Sequence, residues 1–299
     1  MPWFKNAIIY QLNKDHLLDK QLVERAINAC HFSPCGNTDS TKSGWISPYG
    51  EKSDNTLMLD VDGQLLLRLK KETKILPTSV IKQALAEKIA KQEAALSRKL
   101  KKTETAALKD EVFIDLLPRA FSKYQFFWLW IDTVQKRVIV DTASFKQAED
   151  LLALLRKEMG TLAITPLSSE TPLEKTMTTW VRNAERHPPL LLGNEIELKD
   201  ALEDNQIVRC KNQEMDSNEI YVHIDAGKQV SKLQLVDERG VSFMLNRDYT
   251  LKRLKFDASV LDKNEDFMPE ERDKKCEADF FIMTSTLSET INSLIQKVN

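Results

Sequence analysis

Residues 68–123 read RLKKETKILPTSVIKQALAEKIAKQEAALSRKLKKTETAALKDEVFIDLLPRAFSK. They contain 14 Lys or Arg and 7 Asp or Glu, which gives a local net charge of +7. The whole 299-residue chain has 43 basic and 45 acidic residues and a net charge of −2, so the remainder carries −9. A segment that collects cations against an acidic remainder favours a polyanionic partner for that segment.

The same stretch predicts two helices joined as a hairpin. Pro77 is typical of a helix start, and apolar residues then recur mostly four positions apart in one narrow stripe. A second helix is predicted over 105–117, where Pro118 ends it. The two helices would join at 101–103, and such an αα-hairpin can project from a sheet as its own subdomain. The stripe of the first helix consists of Ile81, Leu85, Ile89, Leu96 and Leu100.

Strands are predicted on both sides of this hairpin. The runs 56–61 and 64–70 flank Asp62-Gly63, a dipeptide typical of a two-residue β-turn, and 125–131 is rich in aromatic residues. Other strands are predicted at 3–12, 137–141, 162–165, 229–236, 241–246, 251–257 and 280–283. Helices are predicted at 17–29, 144–159, 171–181, 218–226 and 287–298, and loops at 32–50 and 262–279. Because there is no regular βαβ alternation, the expected class is α+β, with mixed or antiparallel sheets and packed helices.

Four parts are predicted along the chain. Residues 1–72, 124–186 and 187–299 would form the α+β body, in N-terminal, central and C-terminal portions. Residues 73–123 would form the projecting tip. The clearest linker is Arg186-His187-Pro188-Pro189, because consecutive prolines interrupt both helices and strands.

Composition excludes several classes of protein. A hydrophobic content of 42% with 29% charged residues is ordinary for a globular chain and far from disorder. Neither a signal peptide nor an apolar run of membrane-spanning length occurs, so we expect a cytoplasmic protein without a membrane partner. The four cysteines are irregularly spaced and are expected to be free thiols. Cys30-His31 with Cys35 resembles half of a zinc site, but no second ligand pair accompanies it.

No catalytic motif was found. The sequence has no phosphate-binding glycine loop and no nucleophile elbow, so nothing in it indicates a nucleotide cofactor or a serine-hydrolase site. One alternative is a metal-dependent nuclease that assembles scattered carboxylates, such as Asp132 and Asp141 at adjacent strand ends. Another is a scaffold protein whose basic hairpin binds an acidic protein partner.

Two features of the hairpin suggest specific roles. Arg98, Lys99, Lys101 and Lys102 put four cations into five residues, with no acidic residue before Glu104. Such a cluster suits sequence-independent phosphate contacts. Phe121 lies in a polar, basic turn after the second helix. It could fold back onto the hairpin, or protrude as an anchor for a partner subunit or for DNA.

These segments resemble the bacterial recombination-associated RdgC family. The resemblance rests on runs in and near the hairpin and extends over essentially the whole chain. The hairpin runs are Lys74-Ile-Leu-Pro77, Val80-Ile-Lys-Gln-Ala-Leu85, Arg98-Lys-Leu-Lys-Lys-Thr-Glu104, Leu108-Lys-Asp-Glu-Val112 and Leu116-Leu-Pro-Arg-Ala-Phe-Ser122. Further matching runs are Trp3-Phe4-Lys5-Asn6, Trp130-Ile-Asp-Thr133 and Leu251-Lys-Arg-Leu-Lys-Phe256.

The resemblance implies a non-enzymatic protein, without a cofactor or a metal, that forms a homodimeric ring and encircles duplex DNA without sequence preference. It also implies restraint of RecA-promoted recombination, action at replication-fork repair, and a cytoplasmic, nucleoid-associated location. Duplex DNA is the implied partner, with single-stranded DNA as a further candidate. The DNA-contacting residues would be Arg98, Lys99, Lys101, Lys102, Lys211 and Gln213, and Phe121 would make the dimer contact. At 211–213 the family pattern is basic-basic-Gln, whereas this chain has Asn212 at the middle position, which weakens that patch.

Overall fold

A short apolar strand links the two halves of the fold. The computed structural model describes residues 3–13, 18–50, 56–184, 188–200, 206–264 and 271–298. Strand β1 (Asn6–Leu12) contains the run Ala7-Ile-Ile-Tyr10, which is fully buried. It pairs with β6 and β7 on one side and with β12 on the other. Strands from the N-terminal and C-terminal halves of the chain therefore form a single continuous sheet.

The described residues form twelve strands and eight helices. The other strands are β2 (Thr41–Ile46), β3 (Met58–Val61), β4 (Gln64–Ile75), β5 (Phe121–Asp132), β6 (Arg137–Val140), β7 (Ile164–Pro166), β8 (Leu190–Asp200), β9 (Ile207–Lys211), β10 (Lys228–Asp237), β11 (Val241–Asn246) and β12 (Leu251–Phe256). The helices are α1 (Lys20–Ala29), α2 (Thr78–Leu96), α3 (Lys102–Leu116), α4 (Phe145–Met159), α5 (Leu173–Arg182), α6 (Asn218–Asp225), α7 (Ala258–Leu261) and α8 (Arg272–Val298).

The strands follow the order β2-β4-β5-β6-β1-β12-β11-β10-β8-β9, with β3 beside β4 and β7 beside β1. Every pairing between these named strands is antiparallel. The α+β class with antiparallel sheet structure is thus confirmed. The Asp62-Gly63 turn also joins β3 to β4 as predicted, and both turn residues have positive φ.

Helices cover both faces of the β2–β1 half of the sheet. On one face α1 and α4 bury Val23, Ile27 and Leu152 against strands β1, β4 and β5. On the other face α8 packs through Met283 and Leu287. Because this half is covered twice, its strands read as nearly continuous apolar runs, as in Leu65-Leu66-Leu67.

In the part of the chain that the structure describes, helices cover only one face of the β12–β9 half. Its inner side, which includes Leu233 and Leu235 of β10, packs in the same core as α5, α6 and α8. The alternate residues Lys232 and Gln234 lie on the opposite face and are only half-buried. Strand alternation therefore leaves one polar sheet surface open to binding.

Three predictions about local structure are wrong. Residues 280–283 are part of α8 rather than a strand, because the buried residues around them recur three and four positions apart. The predicted loop 262–279 is helical from Arg272 onward, where α8 begins. Part of the predicted loop 32–50 is strand β2, which pairs with β4 and carries the buried Trp45. Gly44 lies so close to the backbone of Phe32 that a Cβ there would clash, which explains a glycine inside this strand.

The four-part division of the chain stays a prediction. Its boundary at 186/187 and the first half of the linker, Arg186-His187, lie outside the described residues, as does the predicted helix start at Leu17. Among the described residues, no helix combines the length and apolar character needed to cross a bilayer.

Candidate nucleic-acid interface

A long two-stranded ribbon carries the helical hairpin. Strands β4 and β5 pair over twelve positions, from Gln64 opposite Asp132 to Ile75 opposite Phe121. Helices α2 and α3 connect Ile75 to Phe121, so the hairpin extends from that end of the ribbon. The predicted αα-hairpin is therefore present, on an arm formed by the sheet itself.

The hairpin has only a thin apolar core. None of the residues of α2 is fully buried, whereas α3 buries Leu108 and Val112. An ionic contact joins the helices, since the Lys88 amine lies 3.0 Å from Glu111 and 2.7 Å from Asp115. With so little burial, most lysines of the hairpin face solvent.

Two glutamates organise the turn between α2 and α3. Glu104 accepts two hydrogen bonds from the Arg98 guanidinium, at 2.6 and 2.9 Å, and one from the backbone N–H of Lys101 at 2.7 Å. The bonds from Arg98 are the main reason that the pKa of Glu104 is lowered to about 2. Glu93 accepts from the Lys99 amine at 2.7 Å and from a backbone N–H at 3.1 Å.

The four-cation cluster is therefore only half available. Arg98 and Lys99 each have a carboxylate partner, Glu104 and Glu93 respectively. Lys101 and Lys102 are exposed, and no carboxylate lies within 4 Å of either among the described residues. These two lysines are the better candidates for phosphate contact in the hairpin.

Phe121 protrudes at the junction of hairpin and ribbon. Its side chain is 85% exposed, and Ile75, directly opposite on β4, is 47% exposed. Phe121 does not fold back onto the hairpin core, so that alternative is wrong for the single chain. A bare aromatic ring beside an exposed isoleucine is suited to insertion into a partner.

A second basic surface lies on the open face of the other half of the sheet. We call it the basic sheet face; its cations are Arg209, Lys211, Lys232, Lys252 and Arg253. They line a shallow cavity of about 350 Å³ together with Glu195 and Glu197, so five positive charges meet two negative ones. Strands β9, β8, β10 and β12 supply these residues, which brings distant parts of the sequence together.

Glu197 is the buried centre of this face. It is 4% exposed and accepts from Lys232 at 2.9 Å, Arg209 at 2.7 Å and Ser231 at 2.9 Å. Burial alone would raise the pKa of this carboxyl, but the three bonds outweigh burial and hold the pKa at about 2. Glu197 is thus ionised at neutral pH and offsets part of the charge of both cations.

Lys211 and Gln213 lie on different surfaces although they are two residues apart. Lys211 is exposed at the end of β9, on the basic sheet face. Past it, Asn212 has φ +54° and the chain turns. Gln213 bonds to Ser217 at 3.1 Å and lines a separate cavity of about 1050 Å³, whose described lining includes Glu214 and Asp216 and no lysine or arginine. Lys211 is therefore better placed for a polyanion than Gln213.

The two aspartates of the nuclease alternative are far apart. Asp132 faces Arg137 at one end of β6, and Asp141 follows Val140 at the other end, so the expectation of adjacent strand ends is wrong. Asp132 accepts from Gln64 and from two backbone N–H groups of the turn. Asp141 accepts from the backbone N–H groups of Lys5 and Asn6. Both carboxylates hold the chain in place.

Within the described ranges, no three His, Cys, Asp or Glu side chains cluster closely enough to hold a metal ion. Cys30 lies against Glu158 and Cys35 lies near Glu72, and burial is the main cause that raises the pKa of each thiol. Protonated thiols are poor metal ligands.

Comparison with known proteins identifies the family. A family model described as "Putative exonuclease, RdgC" matches residues 2–299. The chain belongs to the RdgC family. The recombination-associated protein RdgC of Yersinia enterocolitica (serotype O:8 / biotype 1B) is 48% identical over 296 residues, which cover 99% of this chain and 97% of that protein. The RdgC proteins of Yersinia pestis (strain Pestoides F) and Yersinia pseudotuberculosis (serotype O:1b) are 47% identical over the same coverage.

The resemblance to RdgC noted from the hairpin motifs is therefore confirmed over the whole chain, and this is a member of a recombination-associated family. Sequence reasoning missed most of the basic sheet face. Its only local signal is a cation at alternate strand positions, as in Arg209 and Lys211, or a pair such as Lys252-Arg253. Which of these strands are neighbours becomes apparent only from the sheet order.

Proposed function

We propose that two copies of this chain close into a ring that encircles duplex DNA without sequence preference. In this proposal the bound ring restrains RecA-promoted strand exchange during recombination and replication-fork repair, and the protein is nucleoid-associated in the cytoplasm. It acts by binding and catalyses no reaction. The observation that carries the proposal is the presence of two separate basic surfaces on a chain of net charge −2.

The two basic surfaces are widely spaced. In the sheet order, the strands that carry the cations of the basic sheet face, β12 to β9, lie three to seven positions from strand β5 of the ribbon. At about 4.8 Å per strand, this is roughly 14 to 34 Å along the sheet. Each DNA strand carries one phosphate per about 3.4 Å of helix axis, so one subunit could contact several phosphates.

The composition of these surfaces favours phosphate contact over base recognition. Lysines dominate, and Arg209 and Arg253, which could read guanine, are already bound to Glu197 and Glu195 at 2.7 Å. Phosphate contacts fix a protein on DNA without carrying sequence information. Binding should therefore be electrostatic and indifferent to sequence.

A salt titration tests this proposal. Affinity for a labelled random-sequence duplex should fall linearly with the logarithm of salt concentration, with a slope of about −0.9 for each phosphate neutralised. If three to five lysines per subunit take part, fluorescence anisotropy should give slopes of roughly −5 to −9 for the dimer. Two duplexes of different sequence and equal length should give superimposable curves. A flat salt response would contradict the electrostatic account.

The description of the family model names an exonuclease, and the same labelled duplex can be used to test for that activity. With Mg²⁺ or Mn²⁺ added, the proposal expects the labelled duplex to be recovered at full length. Progressive shortening that is lost in Asp132→Asn or Asp141→Asn would favour the nuclease alternative instead.

A further inference from the structure

One face of the ribbon interleaves cations with aromatic rings. On this face β4 presents Arg68, Lys70, Glu72 and Lys74 opposite Trp128, Phe126, Tyr124 and Ser122 of β5. The Arg68 guanidinium lies 4.7 Å from the ring centre of Phe126 and 4.9 Å from that of Trp128. The Lys70 amine lies 4.8 Å from the ring centre of Tyr124 and 5.9 Å from that of Phe126. We call this surface the aromatic ribbon face.

The rings of this face remain accessible to a ligand. Tyr124 is 48% and Phe126 is 43% exposed, although both already contact a cation. The carboxylate in the ladder, Glu72, is only 2% exposed and accepts hydrogen bonds from Ser122 and from the backbone N–H of Cys35. Glu72 is therefore engaged within the protein and sheltered from a ligand. The surface therefore presents partly exposed rings with cations between them.

A cationic cavity continues the aromatic ribbon face at its inner end. It has a volume of about 390 Å³, and every charged residue among its described lining is basic. Its walls include Pro48, Tyr49, Arg68, Trp128, Arg272 and Lys275. Arg68 and Trp128 belong to both features, so the ladder and the cavity form one continuous surface.

We propose that the aromatic ribbon face and this cavity bind single-stranded DNA, at a site separate from the duplex-binding surfaces. Alternate residues of a strand are about 6.8 Å apart. A single strand stretched to about twice the 3.4 Å duplex rise per nucleotide can therefore stack successive bases on Phe126 and Tyr124. Its phosphates contact Lys70 and Arg68, and one phosphate enters the cavity between Arg272 and Lys275. A duplex keeps its bases paired inside and cannot use the rings.

Removing either ring should weaken binding of single-stranded DNA at this site. Tyr124→Ala and Phe126→Ala should each weaken binding of a dT oligonucleotide about tenfold, because base–aromatic stacking stabilises each such contact appreciably. Both variants should bind duplex DNA like the wild type, which separates failure of this site from failure of the proposed duplex function. The matched control is Phe281→Ala, which removes a ring of similar exposure, 46%, from α8. It should leave both kinds of binding unchanged.

Two further measurements locate the site directly. An abasic oligonucleotide of the same length keeps the phosphates but lacks the bases, so it should bind weakly and be insensitive to both ring substitutions. A 5-iodouracil oligonucleotide should form its photocrosslink to a peptide containing Tyr124 or Phe126. The proposal is overturned if the abasic strand binds as tightly as dT, which would indicate a general acidic ligand. It is also overturned if the crosslink maps to another surface, or if neither ring substitution weakens binding.

Discussion

Phe121→Ala should weaken ring closure by about 2 kcal/mol or more, because a protruding aromatic anchor of an interface commonly contributes that much. This corresponds to a rise of roughly 30-fold in the dimer dissociation constant. Duplex affinity should fall with it, since an open ring no longer holds DNA by enclosure. Analytical ultracentrifugation measures the first effect and fluorescence anisotropy the second.

The fold should not depend on this substitution. Phe121 is 85% exposed, so removing its ring takes almost nothing from the core and the melting temperature should be unchanged. Val134→Ala is the matched control, because Val134 is 65% exposed in the turn at the opposite end of β5. The control should leave dimerisation intact. Unchanged dimerisation and DNA binding in Phe121→Ala would refute the anchor role.

Removing charge from the basic sheet face should make duplex binding both weaker and less sensitive to salt. Lys211→Gln with Lys252→Gln removes two cations, so the salt slope should become shallower by about 1.8 per subunit if both contact phosphates. The control pair is Lys146→Gln with Lys157→Gln on α4, which covers the other half of the sheet. If both pairs reduce the slope equally, the effect is one of net charge and the face has no special role.

Glu197→Gln should have the opposite effect on duplex binding at the basic sheet face. The substitution removes a negative charge that offsets Arg209 and Lys232, so DNA affinity should rise. Because the pKa of Glu197 is lowered from 4.5 to about 2 in the folded state, its ionisation stabilises the fold above pH 4.5. That contribution is lost as the pH falls towards 2. We therefore expect the variant to lose about 1–3 kcal/mol of unfolding free energy at pH 7.

Local sequence signals were sufficient for the hairpin and for most of the helices. Pro77 and the apolar residues that recur four positions apart from Ile81 onward predicted α2. Leu151, Leu152 and Leu155, with Gly160 just past the end of the helix, predicted α4. The same reasoning failed at Phe280-Phe281-Ile282-Met283. Four consecutive apolar residues suggested a strand, whereas the buried residues recur three and four apart along α8. A short apolar run does not distinguish the two structures without its longer context.

The candidate site was less predictable because its parts are joined by tertiary structure. The charge count found the hairpin, but the ion pairs of Arg98 and Lys99 depend on how the turn brings Glu104 and Glu93 back to them. The exposure of Phe121 follows from the long β4–β5 ribbon, which carries the ring away from the core. Helical and strand periodicity cannot reveal either arrangement.

Retention on circular DNA tests the ring most directly. The protein is loaded onto a closed circular duplex at low salt and then transferred to a salt concentration that releases it from a short linear duplex. An encircling dimer should stay on the circle, leave once a single restriction cut opens the DNA, and be retained poorly in the Phe121→Ala form. Equal retention on circular and linear DNA at that salt concentration would contradict the ring.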